Sequence, residues 1–200
     1  RTMPARVHVP LSILAVRCKV VGGLGPKCSG QPRTSAGPSA AKTNVTPTLI
    51  LEGHNTDLKR TVHAIAYDDL HDEIVVQSNI GQAILTFRGN ANGNEAPIRV
   101  IQGSKTMLRD PQSIFIDPVN NEIYALNMSV DDTLLVFDRN AIGDVAPKRI
   151  LKIKTGGGVG AVDPVSNLLF VSAGRLGKGV LVFNRTAQGD VPPLRNIGGG

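Results

Sequence analysis

The stretch Phe137-Asp-Arg-Asn-Ala-Ile-Gly143-Asp-Val-Ala-Pro147 decides the fold, because the chain writes it three times. Its copies are Phe87-Arg-Gly-Asn-Ala-Asn-Gly93-Asn-Glu-Ala-Pro97 and Phe183-Asn-Arg-Thr-Ala-Gln-Gly189-Asp-Val-Pro-Pro193. The phenylalanines stand 50 and 46 residues apart, and Phe, Ala, Gly and Pro keep their offsets in every copy. Upstream of each lie two further matched blocks: Ala64–Asp68 with Glu73-Ile-Val-Val, Ser113–Asp117 with Glu122-Ile-Tyr-Ala, and Gly160–Asp163 with Leu168-Leu-Phe-Val. After the prolines come Ile98-Arg99-Val-Ile, Lys148-Arg149-Ile-Leu and Leu194-Arg195-Asn-Ile. Pro47-Thr-Leu-Ile-Leu-Glu-Gly53 matches Pro97–Gly103 and reads as the end of a further repeat.

Each unit reads as four short strands, in the middle copy Ile114–Asp117, Glu122–Leu126, Thr133–Asp138 and Lys148–Leu151. Asp117-Pro-Val-Asn-Asn121 is turn chemistry: Pro presets φ and Asn tolerates the left-handed region. Gly143 supplies the positive φ of the next connection. Four antiparallel strands at this period make a β-propeller blade. A stacked solenoid is the alternative, but its periods are mostly shorter and its units usually contain a helix, and no segment here keeps helical periodicity. The fold class is therefore all-β: three four-stranded blades, at about 61–103, 110–154 and 158–200, after a basic tail at 1–45. Residues of like phase, Ile65, Ile114, Ile123, Leu135, Phe87, Phe137 and Phe183, are expected in the core. Propellers close with about four to eight blades, so three predict either self-association or a longer chain.

Composition agrees. Apolar residues make 41% of the chain, enough for a core, while 22 Gly and 13 Pro exclude a helical bundle. No apolar run approaches the roughly 18 residues of a membrane span. The net charge of +6 is local: residues 1–51 hold seven of the 22 basic residues and no acid, and all 16 acids follow from Glu52. The body is nearly neutral, and no aromatic residue precedes Tyr67 to stack a base, so no specific nucleic-acid partner is expected. In the tail, Leu11–Val16 is short for a secretory leader and Arg17 and Lys19 interrupt it. Val7 to Ile13 alternate at period two, as an edge strand does, and Gly22 to Thr46 has linker composition. Cys18 and Cys28 fit either a disulfide or two thiols, with a lean to an extracytoplasmic setting.

The pattern I-x-x-D, then (N)-E-I-x-V, then L-x-V-F-x-R-x-A-x-G-D-V-A-P-x-R-x-I resembles NHL/YVTN-type propeller repeats over about residues 46–200. The resemblance implies the fold and, for many such proteins, secretion or a periplasmic location. Its motif residues are structural, so it implies no activity, and the wider superfold holds lactonases, a peptide-amidating lyase and binding modules. It also implies that the strand four-to-one connection and the strand two–three loops open on one ligand-bearing face. The candidates there are His54, His63, Lys59, Arg60, Arg109, Asp110, Asp131, Asp132, Arg175 and Lys178.

Several motifs invite a sharper reading. Arg99, Arg149 and Arg195 recur in strand four; a cation ring is one account, and packed stems paired with carboxylates are the plainer one. Asp68, Asp117 and Asp163 invite calcium, yet each heads an ordinary turn, whereas a calcium loop concentrates several ligands in one segment. Thr155-Gly-Gly-Gly-Val-Gly160 precedes a strand and not a helix, which excludes a P-loop. His54, His63 and Asp110 could hold calcium or zinc in a lactonase- or lyase-like enzyme; no other blade supplies a matching histidine. The expected function is a non-catalytic propeller scaffold without a cofactor, binding a protein or ligand or assembling with itself. The metal-dependent enzyme is the alternative.

Overall fold

The computed structural model describes residues 47–59, 62–127, 132–153, 158–173 and 179–198. The tail with Cys18 and Cys28, the site candidates Arg60, Asp131, Arg175 and Lys178, and residues 155–157 of the glycine-rich loop lie outside them.

The described residues form three four-stranded antiparallel meanders, a propeller-type arrangement. The first sheet is β1 (Val62–Asp68), β2 (Glu73–Ser78), β3 (Ala83–Arg88) and β4 (Arg99–Gln102). The second is β5 (Pro111–Asp117), β6 (Glu122–Asn127), β7 (Thr133–Asp138) and β8 (Arg149–Lys152). The third is β9 (Gly160–Asp163), β10 (Leu168–Ser172), β11 (Val180–Asn184) and β12 (Arg195–Ile197). The first strand of the second unit starts at Pro111, before the expected Ile114, with a register shift between Pro111 and Ser113. Proline is tolerated at a strand's first residue. The recurrent aspartates cap the turns between the first two strands of each sheet. Asp68 accepts the Leu70 and His71 N–H groups, Asp117 that of Asn120, and Asp163 those of Val165 and Ser166.

β5 packs beside β1, and β9 beside β5. Between the first two sheets Val75, Ile84 and Ile101 meet Ile114, Ile123, Leu135 and Phe137. Between the second and third, Tyr124, Leu126, Leu134 and Leu151 meet Leu169, Val171 and Phe183. Alternate side chains of β6 thus serve two different cores, which is why Ile123, Tyr124, Ala125 and Leu126 are all buried and the middle of the strand shows no polar alternation. Ile114, Ile123, Leu135, Phe87, Phe137 and Phe183 are buried as expected. Ile65 is not: it is 46% exposed. Its equivalent Ile114 is covered because a sheet precedes β5, and no sheet among the described residues precedes β1.

A backbone latch repeats at each junction. Gly143 donates its N–H to Val100 O at 2.7 Å, and its own carbonyl accepts the Gln102 N–H at 3.1 Å. The same parallel bridges join Leu51 to Gly93 and Leu151 to Gly189. The loop after each third strand therefore grips the outer strand of the preceding repeat, and Pro47–Leu51 sits in that grip as such a strand.

One position breaks the apolar pattern. Gln77 stands where the second sheet has Leu126, is fully buried, and its amide finds no hydrogen-bond partner. Gln77→Leu is expected to stabilise the fold by about 1–2 kcal/mol, since an unmet buried amide costs about that much. A rise in the urea midpoint with an unchanged m-value would show it.

Candidate functional site

Polar chemistry concentrates at the two opposite ends of the sheets. At the end holding the first-to-second-strand turns, carboxylates and guanidinium groups clamp neighbouring sheets. Glu122, at the start of β6, accepts two hydrogen bonds from Arg149 of its own outer strand, at 2.8 and 2.7 Å. It also accepts 2.7 Å from Arg185 of the third sheet and 2.8 Å from the Tyr124 hydroxyl. Arg185 is held in turn by Asn167 through Nε at 2.9 Å. One junction earlier the pattern recurs: Glu73 binds Arg99 and, at 2.8 Å, Arg139 of the second sheet, whose Nε rests on Asn121. The strand-four arginines Arg99 and Arg149 thus pair with carboxylates. Arg195 is exposed, and Leu168 fills the carboxylate's position.

Burial would raise the Glu122 pKa, but hydrogen bonds from Arg149 and Tyr124 and the charges of Arg149 and Arg185 outweigh it, holding it at about 2. Glu73 is lowered in the same way: burial opposes, and Arg99 and Arg139 prevail. A carboxyl whose folded pKa is depressed stabilises fully above its unfolded pKa and loses that contribution as pH falls through the folded one. For Glu122 the window runs from 4.5 down to about 2, and the contribution is on the order of 3 kcal/mol. Urea midpoints should therefore drop across this acid window, and Glu122→Gln should flatten that drop.

The other end carries the four-to-one connections and the two–three loops. His63 lies on β1, exposed, with Nδ1 against Gln112 Oε1. The Gln112 amide donates to Asp110 at 2.6 Å, and Asn79 donates to the same carboxylate oxygen. A hydrogen-bonded chain, His63–Gln112–Asp110–Asn79, thus bridges the first two sheets. His54 is not part of it: it opens a single-turn 3-10 helix whose Asn55 N–H is held by Asn94. Lys59 pairs with Asp57, the Arg109 N–H is held by Asn127, and the Asp132 carbonyl accepts from Ile153. Among the described residues no three His, Cys, Asp or Glu side chains gather to hold a metal ion. Beside Asp110 runs an open groove lined by Gly81, Gln82, Gln102, Ser104, Met107 and Arg109. Asp57, Gln82, Met107, Asp110 and Asp132 at this end have positive φ, as do Asp72, Asn121 and Asn167 in the turns at the other end, backbone that costs energy in non-glycine residues.

Sequence reasoning picked out His63 and Asp110 by residue type, and missed Gln112 and Asn79, which join them and carry no titratable group. It also missed Arg139 and Arg185. Their signal was an F-x-R in the second and third copies, matched by an E-I in the first and second.

All of this describes a propeller-type repeat protein. No known protein family matches the chain, and no curated protein is similar to it in sequence. Among solved structures, Kuenenia stuttgartiensis hydrazine synthase, a propeller-containing protein, is similar at a TM-score of 0.52 and 12% identity. The match covers 80% of this chain and 40% of that one. At such identity the likeness shows the fold alone. No helix among the described residues is long and apolar enough to cross a membrane.

Proposed function

We propose that the chain is a non-catalytic, extracytoplasmic propeller scaffold of the NHL/YVTN type, recognising a protein or peptide at the loop end that bears the groove beside Asp110. One observation carries this reading: the buried carboxylates Glu73 and Glu122 are both used to clamp sheets together, while the groove end offers exposed donors and acceptors. Such a surface suits reversible recognition, in which backbone-rich loops on a rigid frame supply specificity.

Peptide display against the immobilised chain tests it. Selected peptides should lose at least about tenfold in affinity, roughly 1.4 kcal/mol, when Arg109→Glu or Gln102→Ala alters the groove. Selections indifferent to both changes would refute the groove. Stoichiometric zinc or calcium in the purified protein, lost with His63→Ala and Asp110→Asn, would favour the enzyme instead.

A further inference from the structure

The two ends of the described repeats have lost their charges at matching positions. A complete clamp uses a Glu opening the second strand (Glu73, Glu122), an Arg in the same sheet's outer strand (Arg99, Arg149), and an Arg after the next sheet's third strand (Arg139, Arg185). On the third sheet the first position is Leu168. In the leading segment the second position is Leu49, and in the first sheet the third position is Gly89. Each end, set against a clamp-bearing sheet, would strand a charge. Set against each other, with Leu49 in the place of Arg195, they make a junction that is uncharged at all three places.

The outer strands point the same way. All three residues of β12 are exposed, and Asn196 occupies the place of Val100 and Ile150. The leading segment offers Leu49, Ile50 and Leu51 at the positions of Arg195, Asn196 and Ile197. It is already latched to its own first sheet through Gly93, with its other edge unpaired by any strand among the described residues and with Leu49 and Ile50 47% and 48% exposed. Val62 and Ile65 continue this apolar surface, while Ile197 and Leu194 are exposed at the far end. Patches of this kind mark contact surfaces, and an open strand edge is a template for pairing.

We propose that a second copy of this chain docks its Thr48–Leu51 segment antiparallel on β11 in place of β12. The register sets Leu51 opposite Val180, Ile50 opposite Leu181 and Leu49 opposite Val182, as Ile197, Asn196 and Arg195 are now. Leu49 then stands over Leu168 where Arg149 stands over Glu122. The latch carries the partner's first sheet onto the third sheet, covering Ile65 as Ile114 is covered. The contact is head-to-tail, and such contacts are satisfied when the ring closes. Two copies supply six blades, within the range in which propellers close. The inference deepens the scaffold reading on its assembly side.

Light scattering of the 200-residue chain across a concentration series tests it, with a mass of twice 21.1 kDa expected. The double change Leu49→Asp, Ile50→Asp should give a monomer whose far-UV circular dichroism is unchanged. Leu168→Glu should also weaken the dimer at least about tenfold, because it gives Arg195 the carboxylate that Glu122 gives Arg149 and so fixes β12 in place. Adding Leu49→Arg to Leu168→Glu should restore the dimer, an effect general stickiness would not produce. A wild-type monomer at every concentration, growth beyond the dimer, or a dimer indifferent to these changes would overturn the proposal. Groove binding is read separately by peptide display, so the scaffold reading and the docking fail independently.

Discussion

Glu122→Ala should destabilise the protein by about 3–5 kcal/mol, the cost of leaving buried charges without their partner. For a body of this size that lowers the melting temperature on the order of 10 °C. The magnitude follows from the geometry. The Glu122 side chain is 5% exposed and meets Arg149 and Arg185, which are 14% and 13% exposed, so removing it strands the Arg149 guanidinium and leaves Arg185 with only its longer 3.8 Å pairing to Asp117, where water reaches poorly. Tyr124 loses its acceptor as well. Surface pairs behave otherwise and are worth at most about 1 kcal/mol, so Lys59→Ala, which breaks the exposed pair with Asp57, should be nearly silent. A second comparison separates clamp from charge. Replacing Glu122, Arg149 and Arg185 together by Leu, Met and Met should recover most of the loss, since an apolar set of similar volume avoids desolvating any charge. A loss under about 1 kcal/mol for Glu122→Ala would mean that the clamp is solvated and that apolar packing alone holds the second and third sheets together.

The fold was legible because each blade repeats its own turn chemistry. Phe137, Gly143 and Pro147 have counterparts at fixed offsets in both other copies, and Thr133–Asp138 is a strand at the residues the pattern gave. Burial was less legible, because it belongs to a neighbour and not to a repeat position. Ile65 and Ile114 are equivalent in sequence, yet among the described residues only Ile114 has a sheet before it. The clamp was hidden for a related reason. Arg139 and Glu73 lie 66 residues apart in different copies, and the clamp's Arg and Glu columns are staggered by one blade. Reading each copy as a unit therefore finds an arginine without its acid. At the loop end, His63 and Asp110 were visible as titratable types, while the neutral amide of Gln112 that links them gives no such signal.

Gly103→Ala should cost about 3–4 kcal/mol, whereas Gly143→Asn, forty residues on in the same latch, should cost only a few tenths. Both glycines have positive φ, but their constraints differ. Gly143, at φ 79, has nothing within 4 Å of the place a Cβ would take, and Asn tolerates that left-handed region. Gly103 sits at φ 137 and ψ 178, a region essentially restricted to glycine and worth about 1–3 kcal/mol to any other residue. A Cβ there would also strike the Asp144 side chain. Asp144 cannot yield cheaply, because its Oδ1 accepts the Lys105 N–H at 2.6 Å and its Oδ2 lies 3.3 Å from the Ser104 hydroxyl. Moving it forfeits about 1–2 kcal/mol more. The two terms separate in a double-mutant cycle. With Asp144→Gly already in place the side-chain clash is gone, Cβ included, so Gly103→Ala should then cost about 1 kcal/mol less than it does in the wild-type background. Gly53 against Asn94 repeats the arrangement at φ 125, and Gly53→Ala should loosen the leading segment from the first sheet. If the docking of two copies depends on that segment arriving already latched, Gly53→Ala should lower the dimer affinity while leaving the three sheets intact by hydrogen exchange, and an unchanged affinity would show that the latch does not prepare the strand for its partner.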